Sequence, residues 1–280
     1  RVVIDCVNSV GGLVIPRLLR ELGVEDVIEL YCDPTGDFPH NPEPLPEHLS
    51  VISKTVTGEK ADVGFVVDPD VDRLAIVSED GSMFGEEYTL VAVADYVLSR
   101  TPGNTASNLS STRALRDVTL ARGMEYFPAA VGEVNVVEKM KQHGCVIGGE
   151  GNGGVIYPAL HYGRDALAGI ALFLSHLAGS GRTCSQLRKS YPGYAMSKNR
   201  VELPADADAD RLLDRFARAY ADQEVNREDG VKVDMEEGWI HLRKSNTEPL
   251  IRLYTEAKSA AKAEALAAKA KETIGQLLKN

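Results

Sequence analysis

The stretch that decides the fold is residues 61–73, which read ADVGFVVDPDVDR. Its first part is an apolar run typical of a buried strand, and its second part is an acidic loop in which Pro69 disfavours a helix. Asp68, Asp70 and Asp72 occupy alternating positions, so an extended or turning backbone aims their carboxylates the same way. A loop that follows a strand in this manner lies where α/β sheets place their ligands.

Three converging carboxylates repel one another and therefore need a cation. Oxygen ligands favour Mg²⁺ or Ca²⁺ over zinc, so we predict a divalent-cation site at Asp68, Asp70 and Asp72. Two alternatives are a solvated acidic turn and a phosphatase of the haloacid dehalogenase type, with Asp68 as nucleophile and Asp70 as acid/base. An EF-hand is excluded, because its sixth position requires glycine and Arg73 stands there.

Around this loop the chain alternates strand and helix patterns in two successive α/β units. Helix-breaking runs at residues 101–104 and 191–194 separate the units. The remainder reads as strand, helix, hairpin, strand and charged helix, which is typical of helices on an antiparallel sheet. We predict two mixed-sheet α/β domains followed by a smaller α+β domain with helices on an antiparallel sheet. The predicted bounds are 1–101, 102–192 and 193–280.

A dense glycine loop, GGEGNGG, occupies residues 148–154 between two strand-like runs. Glycine lets a backbone approach a ligand closely. A strand rather than a helix follows, so the loop is not a dinucleotide-binding fingerprint. Glu150 and Asn152 have the donors and acceptors that sugar hydroxyls need, although a tight hairpin explains the loop equally well.

A third loop, RKSNTEP at residues 243–249, joins two strands. Planar guanidinium groups and turn hydroxyls suit phosphate oxygens. The candidate phosphate ligands are Arg243, Ser245, Asn246, Thr247 and Arg252. In isolation a capped turn with a surface ion pair stays open as the alternative.

Composition excludes several classes of partner. The chain of 280 residues carries a net charge of −10 without a basic stripe, so nucleic acid and anionic membranes are not expected partners. No apolar run reaches membrane-spanning length. The four cysteines form no CxxC pair, which favours buried free thiols and a cytoplasmic protein. The sequence does not predict an oligomeric state.

Taken together and in this order, the three loops resemble those of the α-D-phosphohexomutase family, which includes phosphoglucomutases, phosphomannomutases and phosphoglucosamine mutases. The motifs DPDVDR, GGEGNGG and RKSNTEPLIRLYTEA carry the resemblance, which covers essentially the whole chain. It implies the second, third and fourth of four family domains. The resemblance also implies an isomerase that moves phosphate between C1 and C6 of glucose and mannose phosphates, through a glucose 1,6-bisphosphate type of intermediate.

The resemblance assigns roles to the loops. Mg²⁺ would bind the three aspartates and a phosphoserine oxygen, and Arg73 would contact the phosphoserine region as the catalytic residue of this chain. Glu150 and Asn152 would hold sugar hydroxyls. The non-transferred phosphate would lie on Arg243, Ser245, Asn246, Thr247 and Arg252.

The first family domain, which would carry the phosphoserine, has no counterpart in this sequence, so we predict that the chain alone is inactive as a mutase. Residues 105–108 (TASN) superficially resemble the serine loop but lack its His-Asn-Pro continuation, so Ser107 is interpreted as structural.

The sugar loop departs from a common bacterial pattern, Glu-x-Ser-Gly-His. Asn152 and Gly154 replace the serine and histidine, and Glu133 replaces another histidine of some members. The preferred sugar therefore stays open, with glucosamine phosphate as a close alternative. A metal-dependent sugar phosphatase and a non-catalytic sugar-phosphate-binding module are the alternatives from other classes. The candidates to line the cleft are His161, Tyr162, Arg164 and Asp165, and Asp165 alternatively caps the next helix.

Overall fold

A computed structural model describes residues 1–204, 207–245 and 250–279. The chain divides into two compact units. Unit 1 contains Arg1–Pro128 and Gly132–Pro192, and unit 2 contains Ala129–Val131 and Gly193–Asn280.

The first sheet of unit 1 has four strands in the order β2-β1-β3-β4. Strand β1 pairs parallel with β2 and β3, whereas β3 and β4 form an antiparallel hairpin, so the sheet is mixed. All residues of β3 and β4 are buried. The strands are β1 (Val2–Asp5), β2 (Val27–Leu30), β3 (Val63–Val67) and β4 (Leu74–Ser78), and the helices that accompany them are α1 (Gly11–Glu21), α2 (Ser50–Gly58) and α3 (Glu86–Arg100).

The second sheet of unit 1 has the order β6-β5-β7-β8. Strands β5 and β7 are parallel, and β7 and β8 form an antiparallel hairpin around the glycine loop. Its strands are β5 (Thr105–Asn108), β6 (Tyr126–Ala129), β7 (Ile147–Glu150) and β8 (Gly154–Ile156). The helices are α4 (Ala114–Ala121), α5 (Glu133–His143), α6 (Ala166–Ser180) and α7 (Cys184–Lys189).

Helix α6 packs its apolar face into the core beside the first sheet. The ring of Phe173 meets Phe65 of β3 edge-on with centroids 6.0 Å apart, and it meets Phe84 in the same way at 5.1 Å. All three rings are fully buried. Edge-to-face contacts add to the free energy that burial of the rings already provides. This aromatic cluster joins the parts of unit 1 that carry the two sheets.

Unit 2 is an antiparallel five-stranded sheet in the order β10-β11-β12-β13-β9. Its apolar face, which includes Leu242, Ile251 and Leu253, packs against Phe216 of α8 and Ala267 of α9. Its elements are β9 (Ala195–Glu202), α8 (Ala209–Ala219), β10 (Glu224–Asn226), β11 (Val231–Asp234), β12 (Gly238–Lys244), β13 (Leu250–Ala257) and α9 (Ala260–Lys279).

The predicted fold class, two mixed-sheet α/β parts followed by an α+β part, is confirmed. The short elements α7 and β10 were not predicted. Within the described ranges, none of the helices is long and apolar enough to span a bilayer.

Candidate functional site

The acidic loop between β3 and β4 curls around the carboxylate of Asp68. This side chain is fully buried, and its Oδ1 accepts the backbone N–H groups of Asp72 and Arg73, each at 3.1 Å. Val71 takes a positive φ of 59°, which is strained for a β-branched residue. Its carbonyl oxygen accepts the N–H of Ala166 at 3.0 Å, so the start of α6 helps to hold the strained turn.

The three predicted cation ligands converge. One carboxylate oxygen each of Asp68, Asp70 and Asp72 lies within 4.8 Å of the others. Asp68 is buried, Asp72 is partly buried and Asp70 is exposed, so the cluster opens to solvent on one side. An all-oxygen donor set of this kind fits Mg²⁺.

Two guanidinium groups already neutralise part of this cluster. Arg73 Nε donates to Asp68 Oδ2 at 2.5 Å, and Arg164 pairs with Asp72. Burial disfavours ionisation of Asp68, but the hydrogen bonds from Arg73 outweigh it and hold the pKa of Asp68 below its usual range. Burial and the neighbouring Asp68 raise the pKa of Asp72 to about 6, although Arg164 opposes that shift.

The predicted catalytic residue, Arg73, lies within this network. Besides Asp68, its guanidinium contacts Asp72 at 3.7 Å and donates to Glu43 at 3.3 Å. Glu43 belongs to the proline-rich loop that precedes α2. Arg73 is therefore a partly buried member of the acidic loop rather than a free surface cation.

The glycine loop lies directly beside the acidic loop. The backbone N–H of Leu74 donates to Gly153 O at 3.1 Å, and Arg73 forms an antiparallel bridge with Gly154. Gly153 has a φ of +87°, and a Cβ there would collide with the backbone of Leu74. Glycine at this position is therefore required by both conformation and close approach, and it lets the two loops form one scaffold.

Glu150 is buried, and three protein contacts hold its carboxylate. Its Oε1 accepts Asn108 Nδ2 at 2.7 Å and Gly132 N–H at 3.1 Å, and its Oε2 accepts Arg164 Nη1 at 3.1 Å. Asn152 caps its own turn, since its Oδ1 accepts the N–H of Gly154 at 3.1 Å. The two predicted sugar-binding side chains are thus held by protein contacts near the aspartates.

Arg164 was predicted only as a candidate to line the cleft, and not as a partner of Asp72. Its contact with Asp72 depends on the pairing of segments far apart in the chain, so spacing carries no signal for it. Asp165 caps α6, because its side chain accepts the N–H of Ala168 at 3.0 Å. Ser107 is fully buried in β5 and bonds the hydroxyl of Tyr126 at 3.0 Å, in keeping with a structural role.

Unit 2 contains the candidate phosphate site. In the sheet register Arg243 of β12 lies opposite Arg252 of β13, which in turn lies opposite Arg200 of β9. Like charges placed directly opposite each other destabilise a sheet, so this arginine row indicates an anion site. Sequence reasoning missed Arg200, because only the register brings it beside the other two.

Contacts in unit 2 orient part of this site. Arg243 pairs with Asp229 at 3.6 Å, and Ser245 is buried with its N–H donating to Leu250 O at 3.0 Å. The predicted ligands Asn246 and Thr247 lie outside the described residues.

Family models match nearly the whole chain. They are described as phosphoglucomutase/phosphomannomutase alpha/beta/alpha domain II, alpha/beta/alpha domain III and C-terminal domain. The matched residues are 1–81, 85–194 and 200–273.

The relatives of this chain are named as phosphoglucosamine mutases or as phosphoglucomutase/phosphomannomutases. A "Probable phosphoglucosamine mutase" of Methanopyrus kandleri is 37% identical, over 95% of this chain and 59% of its own length. A phosphoglucomutase/phosphomannomutase of Thermococcus kodakarensis is 34% identical, over 94% of this chain and 58% of its own. The chain therefore spans about three-fifths of the length of these relatives.

Solved structures share the fold. A phosphoglucomutase/phosphomannomutase family protein from Burkholderia thailandensis superposes with a TM-score of 0.84 at 31% identity, over 99% of this chain and 60% of that one. An N-acetylphosphoglucosamine mutase of Aspergillus fumigatus, solved with GlcNAc-6P and magnesium, has a TM-score of 0.68 at 17% identity, over 98% of this chain and 65% of its own, which shows the fold alone.

Proposed function

Because this chain belongs to the phosphoglucomutase/phosphomannomutase family, we propose that it supplies the metal, sugar and phosphate loops of a hexose-phosphate mutase. The observation that carries the proposal is the convergence of Asp68, Asp70 and Asp72 within 4.8 Å, on a loop bonded through its backbone to the glycine loop. A cation beside a loop that can bind sugar is the arrangement that phosphate transfer on a sugar needs.

The proposed roles follow the contacts. Asp68, Asp70 and Asp72 would hold Mg²⁺, which would supply positive charge to neutralise a transferred phosphoryl group. Arg73 keeps Asp68 ionised and aimed into the cluster. Glu150 and Asn152 are the proposed sugar ligands: Glu150, already held by three protein contacts, would use its remaining acceptor capacity, and Asn152 would use its amide.

In unit 2 the proposed phosphate ligands are Arg243, Ser245, Arg252 and the newly found Arg200. Asn246 and Thr247 stay predicted members of this set. The phosphoserine nucleophile, the cytoplasmic location and the lack of mutase activity of the chain alone also stay predictions, as does the three-domain division 1–101, 102–192 and 193–280.

The substrate is proposed at the level of hexose phosphates. Glucose and mannose phosphates remain the first candidates, with a glucose 1,6-bisphosphate type of intermediate. Glucosamine phosphate is the second candidate, since the Methanopyrus kandleri relative has the name of a phosphoglucosamine mutase.

The phosphatase alternative, in which Asp68 is the nucleophile, has less support. Asp68 has no exposed surface, accepts two backbone N–H groups through one oxygen and binds Arg73 through the other. Attack requires the oxygen to reach the phosphorus of a bulky phosphate group, for which a carboxylate without exposed surface is poorly placed, whereas a small cation needs only a remaining lone pair of the carboxylate. Steady release of inorganic phosphate from sugar phosphates by the chain would favour the phosphatase over the mutase.

The test is calorimetric titration of the chain with glucose 6-phosphate, mannose 6-phosphate and glucosamine 6-phosphate. We expect saturable binding that ranks the sugars and that Arg243→Ala weakens at least about tenfold, as loss of a charge-assisted contact to phosphate implies. Arg218→Ala, which removes an exposed arginine of α8, should bind like wild type. Equal binding by both variants would remove Arg243 from the phosphate site.

A further inference from the structure

The guanidinium group of Arg164 lies among three carboxylates from three different segments. It pairs with Asp72 of the acidic loop, with Glu150 of the glycine loop at 3.1 Å and with Glu133 at the start of α5 at 3.4 Å. The side chain is 20% exposed. Arg164 therefore contacts both loops of the proposed metal and sugar sites and the start of α5.

The path of this side chain is fixed by its surroundings. The backbone N–H of Arg164 donates to Glu133 at 2.9 Å, and Arg164 forms a bridge with Ile156 of β8. A Cβ on Gly154 would collide with the Cγ and Cδ atoms of Arg164. The arginine stem therefore fills the space that any larger residue at position 154 would need.

A cation at the aspartate cluster must share Asp72 with this guanidinium. The carboxylate that Arg164 pairs with is one of the three that converge within 4.8 Å. Even in bulk water, a unit positive charge about 5 Å from a divalent cation weakens its binding by roughly tenfold. Partial burial makes the effect larger rather than smaller, since screening by solvent is reduced.

We propose that Arg164 is a positioning residue that couples cation binding at Asp68, Asp70 and Asp72 to the glycine loop; the inference rests on the proposed metal site. Without a cation, the guanidinium neutralises Asp72. When a cation binds there, Asp72 is shared between the cation and Arg164, so the guanidinium relies more on Glu133 and Glu150 and its contact with Glu150 changes. Because coupling between two sites is reciprocal, a ligand that binds the glycine loop should in turn change the affinity of the aspartate cluster for the cation.

The test measures Mn²⁺ binding to the intact chain by electron paramagnetic resonance of the free ion. Arg164→Met keeps most of the stem over Gly154 but removes the charge, and it should bind Mn²⁺ about tenfold more tightly than wild type. Arg164→Lys keeps the charge and should bind within about threefold of wild type. Arg122→Met is the matched control, because it removes an arginine paired with Asp95 elsewhere in unit 1.

A second readout follows the coupling directly. Hydrogen–deuterium exchange of residues 147–156 should change on addition of Mn²⁺ in wild type and in Arg164→Lys, and it should change much less in Arg164→Met, where only the backbone contacts between the two loops remain. A role in stability alone would lower the melting temperature of the variants without altering this response.

The outcomes separate the two proposals. If Asp70→Asn binds Mn²⁺ as wild type does, or if none of the proteins binds it, the metal site itself is wrong and the coupling fails with it. If wild type binds through Asp70 but Arg164→Met binds no more tightly, the metal site stands and the role of Arg164 is refuted. If the methionine variant does not fold, Arg164→Gln supplies the same charge change.

Discussion

His241 should make the stability of unit 2 depend on pH. Its ring is 1% exposed on β12, and Nε2 bonds the carbonyl oxygen of Asp229 at 2.8 Å. A carbonyl only accepts, so this nitrogen carries the proton of the neutral ring. Burial lowers the pKa of His241 to about 4, and the nearby charges of Lys232 and Arg243 act in the same direction.

The sign and size of the effect follow from linkage. Between pH 6.5 and pH 4 the unfolded chain binds a proton at His241 that the folded chain does not, so the free energy of unfolding falls as pH falls. With an ordinary pKa of 6.5 and a folded pKa of about 4, unit 2 should be less stable at pH 5 than at pH 7 by about 2 kcal/mol.

The chain has a built-in reporter for this measurement. Trp239 is its single tryptophan, and it is fully buried in the same strand as His241. Urea unfolding followed by Trp239 fluorescence at pH 7 and pH 5 gives the loss of stability of wild type between the two pH values. The same experiment on His241→Gln gives the share of that loss that other titrating groups cause. The variant should lose about 2 kcal/mol less than wild type between the two pH values. Equal losses in the two proteins would refute the argument.

Three further predictions concern unit 1 and are checked by thermal or urea unfolding followed by circular dichroism. Gly153→Ala should lower the free energy of unfolding by about 2 kcal/mol or more, because Gly153 has a positive φ and a Cβ there would collide with Leu74. The control Gly179→Ala places its Cβ in open space on a helix and should be neutral or slightly stabilising. Similar effects of the two substitutions would contradict the role of Gly153. Phe173→Ala should lower the free energy of unfolding by about 3–5 kcal/mol, whereas Phe38→Ala, at an exposed ring, should lower it by less than about 1 kcal/mol. A small loss of stability in Phe173→Ala would show that the aromatic cluster matters little. Burial opposes ionisation of Asp95, but hydrogen bonds from a histidine and an arginine outweigh it and lower the pKa of Asp95 to about 2. Asp95→Asn should therefore lower the free energy of unfolding by about 2 kcal/mol at pH 7, and this loss should shrink as pH falls from 4 towards 2. A loss of stability that does not change with pH would contradict the argument.

The sequence predicted well those features of the structure that depend on residues close together in the chain. The strand and acidic loop of residues 61–73 were correctly predicted, because an apolar run, a proline and alternating aspartates act over one short segment. The convergence of Asp68, Asp70 and Asp72 follows from that local geometry. The same holds for the cap at Asp165.

What the sequence could not predict depends on pairing over long distances. Arg164 meets Asp72 only because β8 places its flanking segment beside the acidic loop. Arg200 joins Arg243 and Arg252 only through the register of three strands. No spacing in the sequence encodes these contacts, because sheet registers are set by the packing of whole strands.

The backbone bond between Leu74 and Gly153 bears on how this chain can be recombined with its relatives. Since the acidic loop and the glycine loop share a hydrogen bond and a bridge, they form one structural module although they are far apart in sequence. A chimera that takes residues 68–73 from another protein and keeps residues 150–154 from this one would join surfaces shaped for different neighbours. Functional hybrids should therefore be recovered mainly when crossovers carry both segments from the same parent.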